Sequence, residues 1–297
     1  MHTLYIPILN SATGIHLTFE DWLLGGVRRA SLDLWECISR GYPIYPAPRE
    51  LSFIFNAKPH NLAHFCLKGD TFQWRSPQDG RLRSLPVSSL APMLKRSDLS
   101  DPPYVILPSD LRSKPHEKAV PISKSWIALT LPTLQDDYSL LVEYDLKTMT
   151  PLLEDPSICG YVYDKDAYDG MDPLQFWEKV EAVLKVHPQK MHVVLGAMDP
   201  QNMPNALYGQ NIYIATGTPT DLAVAGLGYT EQGTIDLKSS AAQTNHEPIS
   251  SQCICYTCQN FTQAYIHHLY TEHVLLSTRL LCLHNVSFMS LQTHHRS

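Results

Sequence analysis

The chain has 297 residues, 44 % of them hydrophobic and 18 % charged, the balance of an ordinary globular protein of one or two domains. Its net charge of −6 argues against a protein that grips nucleic acid by basic surplus alone, and no apolar run approaches the length of a membrane span. The stretch Met1-His-Thr-Leu-Tyr-Ile-Pro-Ile-Leu9 has neither a basic n-region nor an Arg-rich amphipathic character, so no signal or transit peptide is expected.

Apolar runs predict strands at Tyr5–Leu9, Leu51–Phe55, Thr71–Trp74, Tyr104–Leu107, Trp126–Leu131, Ser139–Tyr144, Gly160–Tyr163, His192–Leu195 and Asn211–Ala215. Several are continuous rather than alternating, as in parallel strands covered on both faces. Helices are expected at Thr18–Leu24, Val87–Lys95 and Pro173–Val186. The last has Asp172 as N-cap and Leu174, Trp177, Val180, Val183 and Leu184 on one stripe. Such β/α alternation over roughly 240 residues predicts an α/β barrel. Prolines between positions 42 and 121 mark long irregular loops. Arg75, Arg81, Arg83, Lys95 and Arg96 fall in one stretch, read as a solvated face, with a local phosphate-binding patch as the alternative. Residues 238–252 read as a linker, which divides the chain into a barrel, 1–242, and a C-terminal module, 243–297.

That module opens on Cys253-Ile-Cys-Tyr-Thr-Cys258 and continues to Leu283-His284-Asn285. The pattern is C-x-C-x₂-C-x₂₅-H. Three thiols from one tight loop and a remote imidazole form a Cys₃His set, which suits tetrahedral Zn²⁺. Four protein ligands, Cys253, Cys255, Cys258 and His284, leave no open position, so one structural zinc per chain is expected. Cys37, Cys66, Cys159 and Cys282 are scattered and read as buried small hydrophobes. A metal-type cluster without a disulfide framework suits a reducing compartment. His267-His268 is read as helix packing rather than further ligands, and His294-His295 as a disordered surface tail.

The residues around the ligands narrow the identity. Asn260-Phe-Thr-Gln-Ala-Tyr-Ile-His-His-Leu269 leads to Leu275-Leu-Ser-Thr-Arg-Leu-Leu-Cys-Leu-His-Asn285. This resembles the zinc subdomain of the tRNA-guanine transglycosylases, with its C-x-C-x₂-C, A-Y-x-x-H-L and L-L-x-L-H-N. The form A-Y-I-H-H-L is most similar to the accessory, non-catalytic subunit of the eukaryotic queuine tRNA-ribosyltransferase. Upstream, Gly69-Asp-Thr-Phe-Gln-Trp-Arg-Ser-Pro-Gln-Asp-Gly80, Cys159-Gly-Tyr-Val-Tyr163, Lys190-Met-His-Val-Val-Leu-Gly-Ala-Met-Asp-Pro200 and Thr230-Glu-Gln-Gly-Thr-Ile-Asp-Leu-Lys238 resemble successive family motifs in order and approximate spacing. The resemblance implies a degenerate (β/α)₈ TIM barrel with a C-terminal zinc-binding subdomain.

The family's chemistry is exchange of a tRNA base, with one aspartate as nucleophile and a second as general acid/base. Where the family has D-x-F-D-C-V-x-P-T-R, this chain has Asn211-Ile-Tyr-Ile-Ala-Thr-Gly-Thr-Pro-Thr220, and the nucleophile position falls on Ile214. The D-S-G-G-F-Q motif is absent; its nearest region is Leu51-Ser-Phe-Ile-Phe-Asn-Ala57. Asp164, Asp166 and Asp169 stand in place of the base-recognition loop and read as a solvated acidic loop. No catalytic residue is therefore expected. The resemblance implies a non-catalytic subunit that pairs with a catalytic queuine tRNA-ribosyltransferase chain and contacts tRNA through the complex, with no DNA partner. It also implies a cytoplasmic location, peripheral on the mitochondrial outer membrane at times. Two other readings stand beside it: an active transglycosylase using Asp164, Asp166 or Asp221, and a homodimeric RNA- or protein-binding pseudoenzyme.

Overall fold

A computed structural model describes residues 4–9, 17–35, 38, 50–58, 63–76, 79–90, 104–107, 138–198, 203–207 and 210–295. The strand expected at Trp126–Leu131, and Cys37, Lys95 and Arg96, lie outside the described residues, as does most of the helix expected at Val87–Lys95. The chain forms two compact units. The first comprises Met1–Ala30, Lys165–Asp169 and Leu195–Ser297, the second Ser31–Asp164 and Gly170–Val194.

In chain order the strands begin with β1 (Leu4–Leu9), β2 (Arg29–Asp33), β3 (Ser52–Asn56), β4 (Ala63–Lys68), β5 (Thr71–Arg75), β6 (Leu82–Pro86) and β7 (Tyr104–Leu107). They continue with β8 (Ser139–Asp145), β9 (Thr150–Pro151), β10 (Ile158–Asp164), β11 (Met191–Leu195), β12 (Ile212–Thr216), β13 (Leu227–Thr230) and β14 (Gly233–Asp236). The helices are α1 (Phe19–Leu24), α2 (Pro173–Val186), α3 (Thr218–Ala225), α4 (Ser240–Gln243), α5 (Tyr256–Asn260), α6 (Gln263–Glu272) and α7 (Val274–His295).

In the second unit β3, β7, β8 and β10 run parallel, each paired with the next. Phe53, Ile54 and Phe55 are buried in β3, Leu140, Leu141 and Val142 in β8, and Tyr161, Val162 and Tyr163 in β10. Unbroken burial of successive residues means that both faces are covered, which is why these runs do not alternate in the sequence. Beside them β4, β5 and β6 form an antiparallel meander. Its inner aromatic residues gather on Trp35, with ring centroids 4.5 Å away at Phe65 and 4.7 Å at Phe72.

Asp172 caps α2, its side chain accepting from the Gln175 N–H at 3.1 Å. The buried stripe of α2 is Phe176, Trp177, Val180, Val183 and Leu184. Leu174, expected on it, is 70 % exposed, because at 3.6 residues per turn it lies roughly a third of a turn from the stripe's centre. Phe176 takes its place. Two scattered cysteines also differ from expectation. Cys282 is buried, but Cys66 is half-buried and Cys159 exposed. The register of β10 on β8 shifts between Ile158 and Gly160, and this irregularity turns the intervening Cys159 outward. Gly160 is needed there: a Cβ would lie 2.1 Å from the Met191 carbonyl oxygen.

In the first unit β12 runs parallel to β1, with Leu4 opposite Tyr213 and Pro7 opposite Thr216. Pairing of the last parallel strand with the first is the pattern of closure. The fold is mixed α/β, a nearly closed parallel barrel with a Cys₃His cluster in its C-terminal part. The chain then makes the β13–β14 hairpin and three helices that lead into α7. Residues 281–290 of α7 are buried without a break, so the helix is held on every side rather than along one stripe. It runs on through His294 and His295, which corrects the expectation of a disordered tail: helix propagation from so well anchored a segment adds a hydrogen bond per residue. Among the described residues no helix is long and apolar enough to cross a membrane.

Candidate metal centre

The predicted ligands come together. The donor atoms of Cys253, Cys255, Cys258 and His284 all lie within 4.8 Å of one another. Cys253, Cys255 and Cys258 belong to one loop, because α5 begins at Tyr256 with Cys255 as its N-cap, and the Cys255 sulfur accepts from the Cys258 N–H at 3.4 Å. The turn that starts the helix thus folds the last two thiols toward each other. The Thr257 hydroxyl donates to the Leu280 carbonyl of α7 at 2.7 Å, which ties this loop to the helix that carries the imidazole.

His284 is fully buried, and its two nitrogens have different partners. Nε2 lies 2.8 Å from the Tyr229 carbonyl, which can only accept, so Nε2 carries the proton. Nδ1 then presents its lone pair to the sulfurs, 3.2 Å from Cys258 and 3.5 Å from Cys255. A carbonyl that fixes the tautomer of a histidine from behind is the usual outer support of a metal ligand. A tetrahedral zinc, with sulfur at about 2.3 Å and nitrogen at about 2.0–2.1 Å, holds its ligand atoms about 3.5–3.8 Å apart. His284 Nδ1 lies near that distance from two sulfurs, all four donor atoms are within 4.8 Å of one another, and the donor set fits zinc.

The thiols cannot be treated as independent. Hydrogen bonds from the Cys253 and Cys258 side chains, aided by the backbone N–H groups of Cys258 and Thr257, hold the Cys255 thiol down at about 3. The same hydrogen bonds, with Cys253 first, push Cys258 up. The thiolate form is thus favoured at Cys255 and disfavoured at Cys258. A divalent cation would release that competition, since metal ligation needs thiolates.

Asn285 follows the last ligand and organises what surrounds it. Its Oδ1 accepts from the Tyr229 N–H at 3.0 Å, and its Nδ2 donates to the carbonyls of Pro219 and Leu227, each at 2.9 Å. Every strong donor and acceptor of the buried amide is used. Asn285 was visible as a letter of L-H-N, but nothing in the spacing disclosed that it joins α7 to α3 and β13. His267 Nδ1 donates to the Leu237 carbonyl, 3.0 Å away, and His268 is exposed. Neither joins the cluster. Cys282, also on α7, has its thiol pushed up to about 12 by burial, with the Asp221 charge second; it is a core residue rather than a ligand.

The candidate acids are dispersed. Ile214 is buried in β12. Asp221 stands in the first turn of α3. Asp166 is exposed, and its Oδ1 accepts from the Ala197 N–H at 3.4 Å. Asp169 is exposed. Asp164 departs from the solvated acidic loop expected. It closes β10 half-buried and forms an ion pair with Lys58, whose Nζ is also 3.8 Å from Glu143 of β8. Lys58 follows β3, so the three groups occupy C-terminal parts of parallel strands, where barrels place their active sites. Sequence reading missed Lys58 because its partner is 106 positions away.

Residues 163–294 match the family described as queuine tRNA-ribosyltransferase. Similar proteins include the queuine tRNA-ribosyltransferase of Thermotoga neapolitana, 48 % identical over 71 residues, which are 24 % of this chain and 19 % of that protein. That of Dehalococcoides mccartyi is 31 % identical over 116 residues, 38 % of this chain and 29 % of the relative. That of Methylobacillus flagellatus is 27 % identical over 195 residues, 63 % of this chain and 51 % of the relative. The matches span from about a fifth to about half of the relatives' length.

Proposed function

Because the chain belongs to the tRNA-guanine transglycosylase family, we propose that it is the non-catalytic subunit of a queuine tRNA-ribosyltransferase, with one structural zinc. It supports exchange of the wobble guanine for queuine at a catalytic homologue. The observation that carries this reading is Ile214. An isoleucine buried in β12 stands where the family's motif places its nucleophile, and a hydrocarbon cannot attack a sugar carbon. The Lys58–Asp164 ion pair beside Glu143 supports it: Asp164 is engaged by a lysine of its own chain rather than open to a substrate. The isolated chain is expected to exchange no guanine or queuine into tRNA, and to do so only with its catalytic homologue. Exchange by a preparation free of any homologue would overturn this. It would favour the second reading, an active transglycosylase with relocated acids, to which the relatives' name as transferases lends weight. Loss of that activity in Asp164→Asn, Asp166→Asn or Asp221→Asn would then locate the acid.

The partner would meet the zinc-binding part. Ile254, Tyr256 and Tyr265 are exposed there, as are Val274, Leu275 and Leu276 at the start of α7. Tyr265 stacks on Phe261 with centroids 5.2 Å apart, and Phe261 meets Tyr256 edge-on at 5.8 Å. Leu269 and Leu280 are buried within the chain itself and are not part of such a face. An exposed aromatic row of this kind is the usual centre of an interface. Tyr265→Glu is expected to leave zinc content and thermal melting unchanged and to abolish co-purification with the catalytic homologue. A wild-type chain that stays monomeric beside that homologue in solution-mass measurement would defeat the subunit reading. In this proposal the complex is cytoplasmic and peripheral on the mitochondrial outer membrane.

A further inference from the structure

The second unit carries a basic feature that neither the zinc centre nor the strand ends use. Between β5 and β6 the chain turns sharply, and three arginines surround the turn. The Gly80 N–H donates to the Ser76 carbonyl at 2.9 Å and the Ser76 N–H to the Arg81 carbonyl at 2.8 Å. Gly80 has φ +68°, a conformation that costs a glycine little. Arg75 reaches under the turn and donates to the Gly80 carbonyl at 2.7 Å. Asp79 accepts from the Arg81 N–H at 3.1 Å and from the Arg83 guanidinium at 2.8 Å. The same Asp79 oxygen is 3.9 Å from Arg81 Nε. One carboxylate therefore faces two guanidiniums, and a third donates to a carbonyl.

Those cations remain available. The Arg81 side chain is 80 % exposed and that of Arg83 50 %. Leu82, between them, is exposed as well. Among residues 63–90 the cations are Lys68, Arg75, Arg81 and Arg83, against two carboxylates, Asp70 and Asp79. The surplus is local, in a chain of net charge −6. Two exposed planar forks with one shared counter-charge are suited to phosphodiester oxygens, which guanidiniums bind in pairs. Arg83 is already held by Asp79 at 2.8 Å, which lowers the ordering cost of that side chain.

We propose that the tip of the β5–β6 hairpin binds the ribose-phosphate backbone of tRNA through Arg81 and Arg83, with Asp79 as a built-in competitor of the phosphate. The choice of tRNA rests on the proposed function above. This replaces the solvated-face reading of the Arg75–Arg83 stretch. Phosphate binding positions an RNA without reading its sequence, so the tip would serve different tRNAs alike.

The test uses the full chain, alone and with the catalytic homologue, and a labelled, unmodified tRNA transcript titrated across ~50–200 mM salt. The double variant Arg81→Gln, Arg83→Gln is expected to weaken binding about equally for unrelated tRNAs. It should flatten the plot of log affinity against log salt by about two, one for each phosphate that is no longer neutralised. Asp79→Asn keeps the acceptor for the Arg81 N–H but removes the competing charge, and should tighten binding several-fold. Because that variant gains affinity, misfolding cannot imitate it. Unchanged affinity and slope in the double variant would overturn the proposal, as would Asp79→Asn binding no tighter than wild type. Polyglutamate that binds as tightly as tRNA and is equally sensitive to the double variant would assign the tip to an acidic protein and overturn it too. A chain that binds tRNA through the tip but never pairs with the homologue upholds the tip and sinks the subunit reading. A chain that pairs normally while the double variant binds tRNA unchanged does the reverse.

Discussion

Cys255→Ser is expected to purify without metal and with its C-terminal residues unfolded, while the wild-type chain carries one zinc. Four donor atoms within 4.8 Å of one another are a costly arrangement without a cation. A buried imidazole aims a lone pair at the sulfurs, and Cys255 and Cys258 compete for a proton. A structural zinc contributes about 10–16 kcal/mol in small zinc-bound peptides at neutral pH, more than the whole stability of a typical domain. Cys255 is the most consequential ligand to remove. Its sulfur is buried and receives the Cys258 N–H; a serine hydroxyl can still accept that N–H and cap α5, so the variant reads the loss of the ligand. Metal analysis and hydrogen exchange over residues 245–290 check this together. Wild-type protein without stoichiometric zinc in reducing buffer, or a variant that exchanges as slowly as wild type, would refute it.

The second large effect is expected at Asn285. Replacing it by alanine leaves the Tyr229 N–H and the carbonyls of Pro219 and Leu227 without their partner. An unsatisfied buried group costs about 1–3 kcal/mol, so a loss of about 3–5 kcal/mol is expected, at the upper end for single substitutions. Asn285→Asp should be no milder, because it keeps the acceptor for Tyr229 but aims a negative charge at two carbonyls. Urea denaturation followed by tryptophan and backbone signals reads the midpoint. Zinc should stay bound in the folded variant, since Asn285 is not a ligand. A midpoint within experimental scatter of wild type would show that the three hydrogen bonds contribute nothing.

What could be read from the sequence follows the distance between partners. Cys253, Cys255 and Cys258 lie within six positions, and ligand geometry is local there. The parallel strands were legible because unbroken burial leaves an unbroken apolar run, as in Leu140–Val142. The Lys58–Asp164 pair was not, since no periodicity links residues on different strands. Phase was the weakness within elements. Leu174 looks right by composition and sits off the stripe, and Cys159 follows an alternation that a register shift breaks. Leu269 and Leu280 resemble interface residues until the neighbours that bury them are known. The basic stretch around Arg81 could be seen, but not that one aspartate at the turn would be shared by two of its guanidiniums.

The pairing of β1 with β12 has a consequence for synthesis on the ribosome. Leu4 emerges well ahead of its partner Tyr213, which is made more than two hundred residues later. At about 5–20 residues per second, the first strand waits roughly 10–40 s with an unpaired apolar edge. The Asp21–Arg279 ion pair, at 2.9 Å and 258 positions apart, forms later still. Translation that stalls before residue 212 leaves that edge of β1 without its strand, and such a nascent chain should be a client for chaperones or proteases. A premature stop before β12 thus reaches back to β1: it removes the zinc ligands and at the same time leaves one edge of that strand open.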